Sequence, residues 1–162
     1  MMGSNHWHYK NEEVKEPLLY TACGLDDIYL LSGYEVRQTP DGETVTIKNL
    51  DGLHEAIGRF LVNQKKLLNG KEIRFLRRQM DLTQSEMARL FGCDAQQIAR
   101  YEKNENKMPG PADRLLRMIY QEHVNRSIQV LELLHAIDEL DSKLRDKKVF
   151  EETPTGWRKA AA

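Results

Sequence analysis

Leu82-Thr83-Gln84-Ser85-Glu86-Met87-Ala88-Arg89-Leu90-Phe91-Gly92-Cys93-Asp94-Ala95-Gln96-Gln97-Ile98-Ala99-Arg100-Tyr101-Glu102 is the stretch on which the fold turns. Thr83 suits a helix N-cap, and Glu86 three residues on completes a capping box, each side chain bonding the other's backbone N–H. Gly92 ends that helix, and Asp94 caps another that runs through Tyr101 or Glu102. Two short helices joined by three or four residues must cross at a wide angle. Ala88 supplies the small residue the crossing needs, and Gly92 the one free of a Cβ penalty at the turn. Met87, Leu90, Ile98 and Tyr101 then point into a shared core. The same spacing leaves Gln96, Gln97 and Arg100 on the outer face of the second helix.

Working outward, Asn69 and Gly70 punctuate before Lys71–Met80, where Ile73, Leu76 and Met80 form an inward stripe with the arginines turned outward. Asn104 to Gly110 reads as loop, and Pro111 fits the first turn of a following helix. A last helix is expected from Asn125 to Lys147, with Val130, Leu133, Ile137, Leu140 and Leu144 spaced as an a/d stripe. Two heptads are too few for a free coiled coil, so this stripe either pairs between subunits or packs within its own chain. Upstream, Asp51 is expected to cap a helix running to Gln64, with Leu53, Ile57, Phe60 and Leu61 on one face. Short β-type runs at 18–20, 28–31, 34–36 and 44–47 are separated by turn residues, and Pro40-Asp41-Gly42 is a hairpin signal. The expected class is α+β. A flexible lead (1–16) precedes a small antiparallel β-plus-helix module (17–64). An all-α domain of five helices follows, its core at 68–122 and its extended last helix at 123–148, before an irregular tail (149–162).

The formal net charge of −1 conceals an asymmetry. Residues 1–58 carry −6, residues 59–126 carry +6 and residues 127–162 carry −1. An acidic front joined to a basic middle suggests that the middle meets a polyanion and the front something else. No apolar run is long enough to span a bilayer, the first ten residues lack the apolar region of a secretory signal, and a cytoplasmic protein is expected. Cys23 and Cys93 lie far apart without a CxxC partner, which argues against a disulfide framework or a cysteine zinc site. His6 and His8 form a weak metal-clip pattern, and no metal or other cofactor is expected. Asp26-Asp27 reads as a turn, and no nucleophile elbow, phosphate loop or catalytic carboxylate pair is recognisable, so no enzyme is expected.

Leu82-Thr83-Gln84, Ala88, Gly92, Ile98 and Tyr101-Glu102 together resemble the lambda-repressor-like (XRE) helix-turn-helix proteins, over about residues 68–120. The resemblance implies a sequence-specific DNA-binding regulator acting as a dimeric repressor on double-stranded DNA, with helix 94–102 in the major groove. It implies base reading by Gln96, Gln97 and Arg100; the chemistry fits, since glutamine pairs bidentately with adenine and arginine with guanine. It implies backbone phosphate contacts from Thr83, Gln84, Lys103 and Lys107, and a brace in which Arg77 pairs with Glu102. Ala95 stands where many relatives carry a longer polar reader.

Arg100-Tyr101-Glu102-Lys103-Asn104 behind a small front domain also resembles antitoxin regulators of the MqsA/YgiT kind, and related HigA-type regulators. That likeness implies a toxin-like protein partner for the front module, while a homodimer through Val130, Leu133, Ile137, Leu140 and Leu144 is expected from their spacing and from the paired half-sites that helix-turn-helix readers usually bind. The zinc-binding members have two CxxC pairs where this chain has single Cys23, so a front domain built this way would fold without zinc. A third function, ligand sensing by the acidic front module, is implied if that module holds a pocket.

Overall fold

A computed structural model describes residues 7–9, 12–14, 17–127, 129–140, 148 and 150–160. Among these, a hairpin pairs β1 (Trp7–Tyr9) with β2 (Glu12–Val14), where the sequence suggested an unstructured lead. The possible ligand His6 lies outside the described residues. The front module holds two more antiparallel pairs, β3 (Leu18–Leu19) with β4 (Tyr29–Leu30) and β5 (Tyr34–Thr39) with β6 (Gly42–Ile47). They form separate two-stranded sheets rather than one continuous sheet. Tyr20, Leu25 and Leu30 are the buried anchors of the first pair, whereas the second pair stays exposed along most of its length.

Helix α1 (Leu50–Gln64) starts two residues earlier than expected, its cap being Asn49 rather than Asp51. Asn49 adopts the left-handed conformation (φ 49°), which asparagine tolerates, and its side chain accepts from the Gly52 N–H. Ile57, Leu61 and Val62 are buried, but Phe60 points to solvent, so the inward stripe is narrower than its apolar content suggested. Arg117 closes the other end of this helix. Its guanidinium donates to the carbonyls of Leu61, Val62 and Lys65 while pairing with Asp113 at 2.8 Å.

Five helices follow: α2 (Gly70–Gln79), α3 (Gln84–Phe91), α4 (Ala95–Glu102), α5 (Gly110–Val124) and α6 (Gln129–Asp138). Their core centres on Leu76, Met87, Ile98, Leu116 and Tyr120, all fully buried, and α1 packs on α2 and α5. The last helix is shorter than the expected 125–147. The helix ends after Val124, Arg126 turns to φ 55°, and the Glu122 carboxylate of α5 accepts from the Val130 N–H to cap α6. Residues 141–147 lie outside the described residues. The expected irregular tail instead holds a hairpin of β7 (Phe150–Thr153) with β8 (Gly156–Lys159). The Pro154–Gly156 punctuation is its turn, with Thr153 Oγ1 donating to the Gly156 carbonyl at 2.8 Å.

Candidate nucleic-acid interface

Helices α3 and α4 are held at fixed ends. Thr83 Oγ1 accepts from the Glu86 N–H at 3.1 Å, and the Glu86 carboxylate accepts from the Thr83 N–H at 2.7 Å. The Thr83 N–H on the carboxylate, with the Thr83 hydroxyl adding to it, holds the Glu86 carboxyl below the ordinary carboxylate range. Gly92 closes α3 in the left-handed conformation at φ 68°, where a side chain would be strained. Asp94 then opens α4, its carboxylate accepting from the Gln97 N–H at 2.8 Å. The turn is tight because both caps are local.

The inner side of α4 is locked to the domain. Ile98 and Tyr101 are buried beside Met87 and Ala88. Glu102 is the hub at its C-terminal end, accepting from Arg77 Nε at 2.5 Å, from Arg77 Nη2 at 3.2 Å and from Gln84 Nε2 at 2.9 Å. Arg77 also donates to the Leu82 carbonyl at 2.7 Å, so one carboxylate joins α2, the start of α3 and the end of α4. Arg77 is therefore buried, unlike Arg74 and Arg78, which do face outward. A second tie runs from the Gly70 N–H to Asn104 Oδ1 at 2.7 Å. Gly70 sits so close to the end of α4 that any Cβ there would overlap the Glu102 carbonyl.

The outer side of α4 is open. Gln96 and Arg100 are exposed and Gln97 is half-buried. Lys103 and Lys107 are exposed on the loop that follows, which buried Met108 anchors. The side chains of Gln96, Gln97, Arg100, Lys103 and Lys107 make no hydrogen bond or ion pair among the described residues. A row of amides and cations with no internal partner, carried on a rigid helix, is suited to pairing with external acceptors. Gln84 is different: its amide is committed to Glu102, which leaves its backbone N–H at the open start of α3 as the group free for a phosphate. Sequence reasoning missed that commitment, and it missed the capping box between Asn69 and Glu72 at the start of α2, although their spacing carries the signal.

The a/d stripe on α6 divides. Val130 packs on the chain's own core together with Leu134, whereas Leu133, Ile137 and Leu140 point to solvent, 59%, 53% and 70% exposed. Leu144 lies outside the described residues. Helix α6 rests on α3 and α5, and Arg89 of α3 reaches Asp138 at 3.5 Å. Cys23 and Cys93 are both free, and among the described residues no helix is long and apolar enough to cross a membrane.

Residues 73–112 match the model of a helix-turn-helix family, from inside α2 to the start of α5. No curated protein and no solved structure matches the chain. The matched segment is the braced unit just described, and the match supports a DNA-binding regulator of the XRE type.

Proposed function

We propose that this chain is a non-enzymatic, cytoplasmic transcriptional repressor that binds operator DNA as a homodimer, with α4 in the major groove. The observation that carries the reading is the contrast between the two sides of α4. Its inner side is fixed by the bonds from Arg77 and Gln84 to Glu102, while Gln96 and Arg100 stand unpartnered outside. Arg100 reads a guanine and Gln96 an adenine, with Gln97 beside them. Thr83, the Gln84 N–H, Lys103 and Lys107 hold backbone phosphates on either side. The second subunit supplies the paired half-site, about 34 Å away, through the exposed row Leu133, Ile137 and Leu140. Selection of bound fragments from random duplex DNA tests this. The expected result is an enriched motif repeated at one helical turn; recovery of unenriched DNA sinks the proposal.

A second reading, an antitoxin whose front module holds a partner protein, is favoured by one observation. The β5–β6 pair stands as a separate two-stranded sheet with Val36 and Val45 exposed, a ready edge for an added strand. Amide exchange slowed across residues 34–47 by a co-purified partner supports it, and unchanged exchange there removes it.

A further inference from the structure

A cavity of about 400 Å³ lies between the front module and α2. One wall is the turn Ala22–Gly24, and the other is a face of α2 carrying Lys71, Arg74 and Arg78. His54 of α1 lines it between them. Its ring is fixed by Tyr20 Oη at 2.9 Å from Nε2 and by an edge-on contact with Phe75, while Gln79 Nε2 lies 3.5 Å from Nδ1. Lys71 is balanced by Asp26 at 2.7 Å. Arg74 and Arg78 are not balanced: neither guanidinium has a carboxylate or any hydrogen-bond partner among the described residues.

Two like charges one helical turn apart repel, and an uncompensated pair of this kind is lowered in energy by an anion between them. The cavity falls in the usual size range of small-ligand sites. Guanidinium forks match the oxygens of a phosphoryl group, and a dianion neutralises the two arginines together. We propose that this cavity is a phosphoryl-binding site in which Arg74 and Arg78 hold the anion and Lys71 releases Asp26 to join them. The phosphoryl group has two possible sources, a free phosphorylated small molecule or the backbone of a bound duplex. Either would couple the front module to the helix-turn-helix, because the same α2 carries Arg77, the donor that braces Glu102. That coupling rests on the DNA-binding proposal; the anion site does not.

The test uses the full chain and two double variants that remove equal charge, Arg74→Gln/Arg78→Gln in the cavity and Arg37→Gln/Arg158→Gln on exposed hairpins. Sodium pyrophosphate is titrated while amide shifts are followed at residues 22–24 and 71–79. Saturable shifts there, weakened at least about tenfold in the cavity variant and kept in the hairpin variant, assign a free phosphorylated ligand. In the second arm each protein is titrated with the selected duplex at several salt concentrations. A salt slope lowered by about two in the cavity variant alone assigns the duplex backbone as the source. Shifts that weaken equally in both variants, with no change of slope confined to the cavity variant, overturn the site. So does silence in both arms, including the case in which no duplex binds at all.

Discussion

Arg77 and Glu102 stand 25 positions apart in sequence and meet through two bonds, Nε to Oε1 at 2.5 Å and Nη2 to Oε2 at 3.2 Å, with side chains only 11% and 5% exposed. A pair this enclosed is sensitive to losing one member, because the survivor keeps its desolvation cost without its partner. Arg77→Ala is expected to lower stability by about 3–5 kcal/mol in urea denaturation. Gln84→Ala, which leaves the ion pair in place, is expected to cost roughly 1 kcal/mol. Equal losses in the two variants would contradict the hub role of Glu102.

Gly70→Ala carries a steric prediction. The added methyl meets the Glu102 carbonyl, which is backbone and cannot swing aside. The expected loss is on the order of 1–3 kcal/mol, although alanine is the better helix former. Thermal unfolding reads it; an unchanged or raised midpoint would show that the two helix ends are further apart than described.

For the proposed DNA complex, Arg100→Ala should weaken the selected duplex by about 1–3 kcal/mol and relax preference at one base pair. Lys107→Ala should weaken all duplexes alike and reduce the salt slope by about one. Affinity measured on matched and single-substituted duplexes separates the two. Arg100→Ala with intact affinity would remove α4 from the groove.

Tyr120 gives the alkaline limit. Burial, with the Glu55 carboxylate adding to it, pushes its phenol from 10.0 up to about 12. The raised value means that its contribution is whole below about pH 10 and is lost as pH climbs towards 12, because the unfolded chain ionises first. Roughly 2–3 kcal/mol should disappear over that window in the parent chain. Tyr120→Phe should flatten the loss, which denaturation at stepped alkaline pH would detect.

Leu133→Glu/Ile137→Glu is expected to change the oligomer and not the fold, since both side chains are more than half exposed within one chain. If the chain pairs as proposed, sedimentation should give a dimer for the parent and a monomer for the variant, with an unchanged far-ultraviolet circular dichroism spectrum. A monomeric parent would leave the row without its proposed partner.

The parts that were legible in the sequence are those set by residues three or four apart. Thr83 with Glu86, Gly92, and Asp94 with the Gln97 N–H are local devices, and each stands where its chemistry indicated. Periodicity alone left Arg77 outward with Arg74 and Arg78, because a helical stripe does not show that a carboxylate from another helix waits at one position; the family likeness supplied that pair. The break after Val124 was illegible for a similar reason: the cap of α6 is Glu122, a residue of the preceding helix. Asn49 and Asp51 are both capping types two residues apart, and the left-handed backbone at Asn49 decides between them. The cavity beside α2 was out of reach, since the turn at 22–24 and the cations at 71–78 meet only in the folded chain.

The bond from the Gly70 amide to Asn104 ties positions 34 residues apart. It closes a loop of chain that holds all three helices of the clasp, so the loop cannot lock until the segment after α4 has been made. Helices α3 and α4 meet over a short turn and need no such long closure. Any chain that stops short of residue 104 therefore lacks this latch, however well its local caps are made.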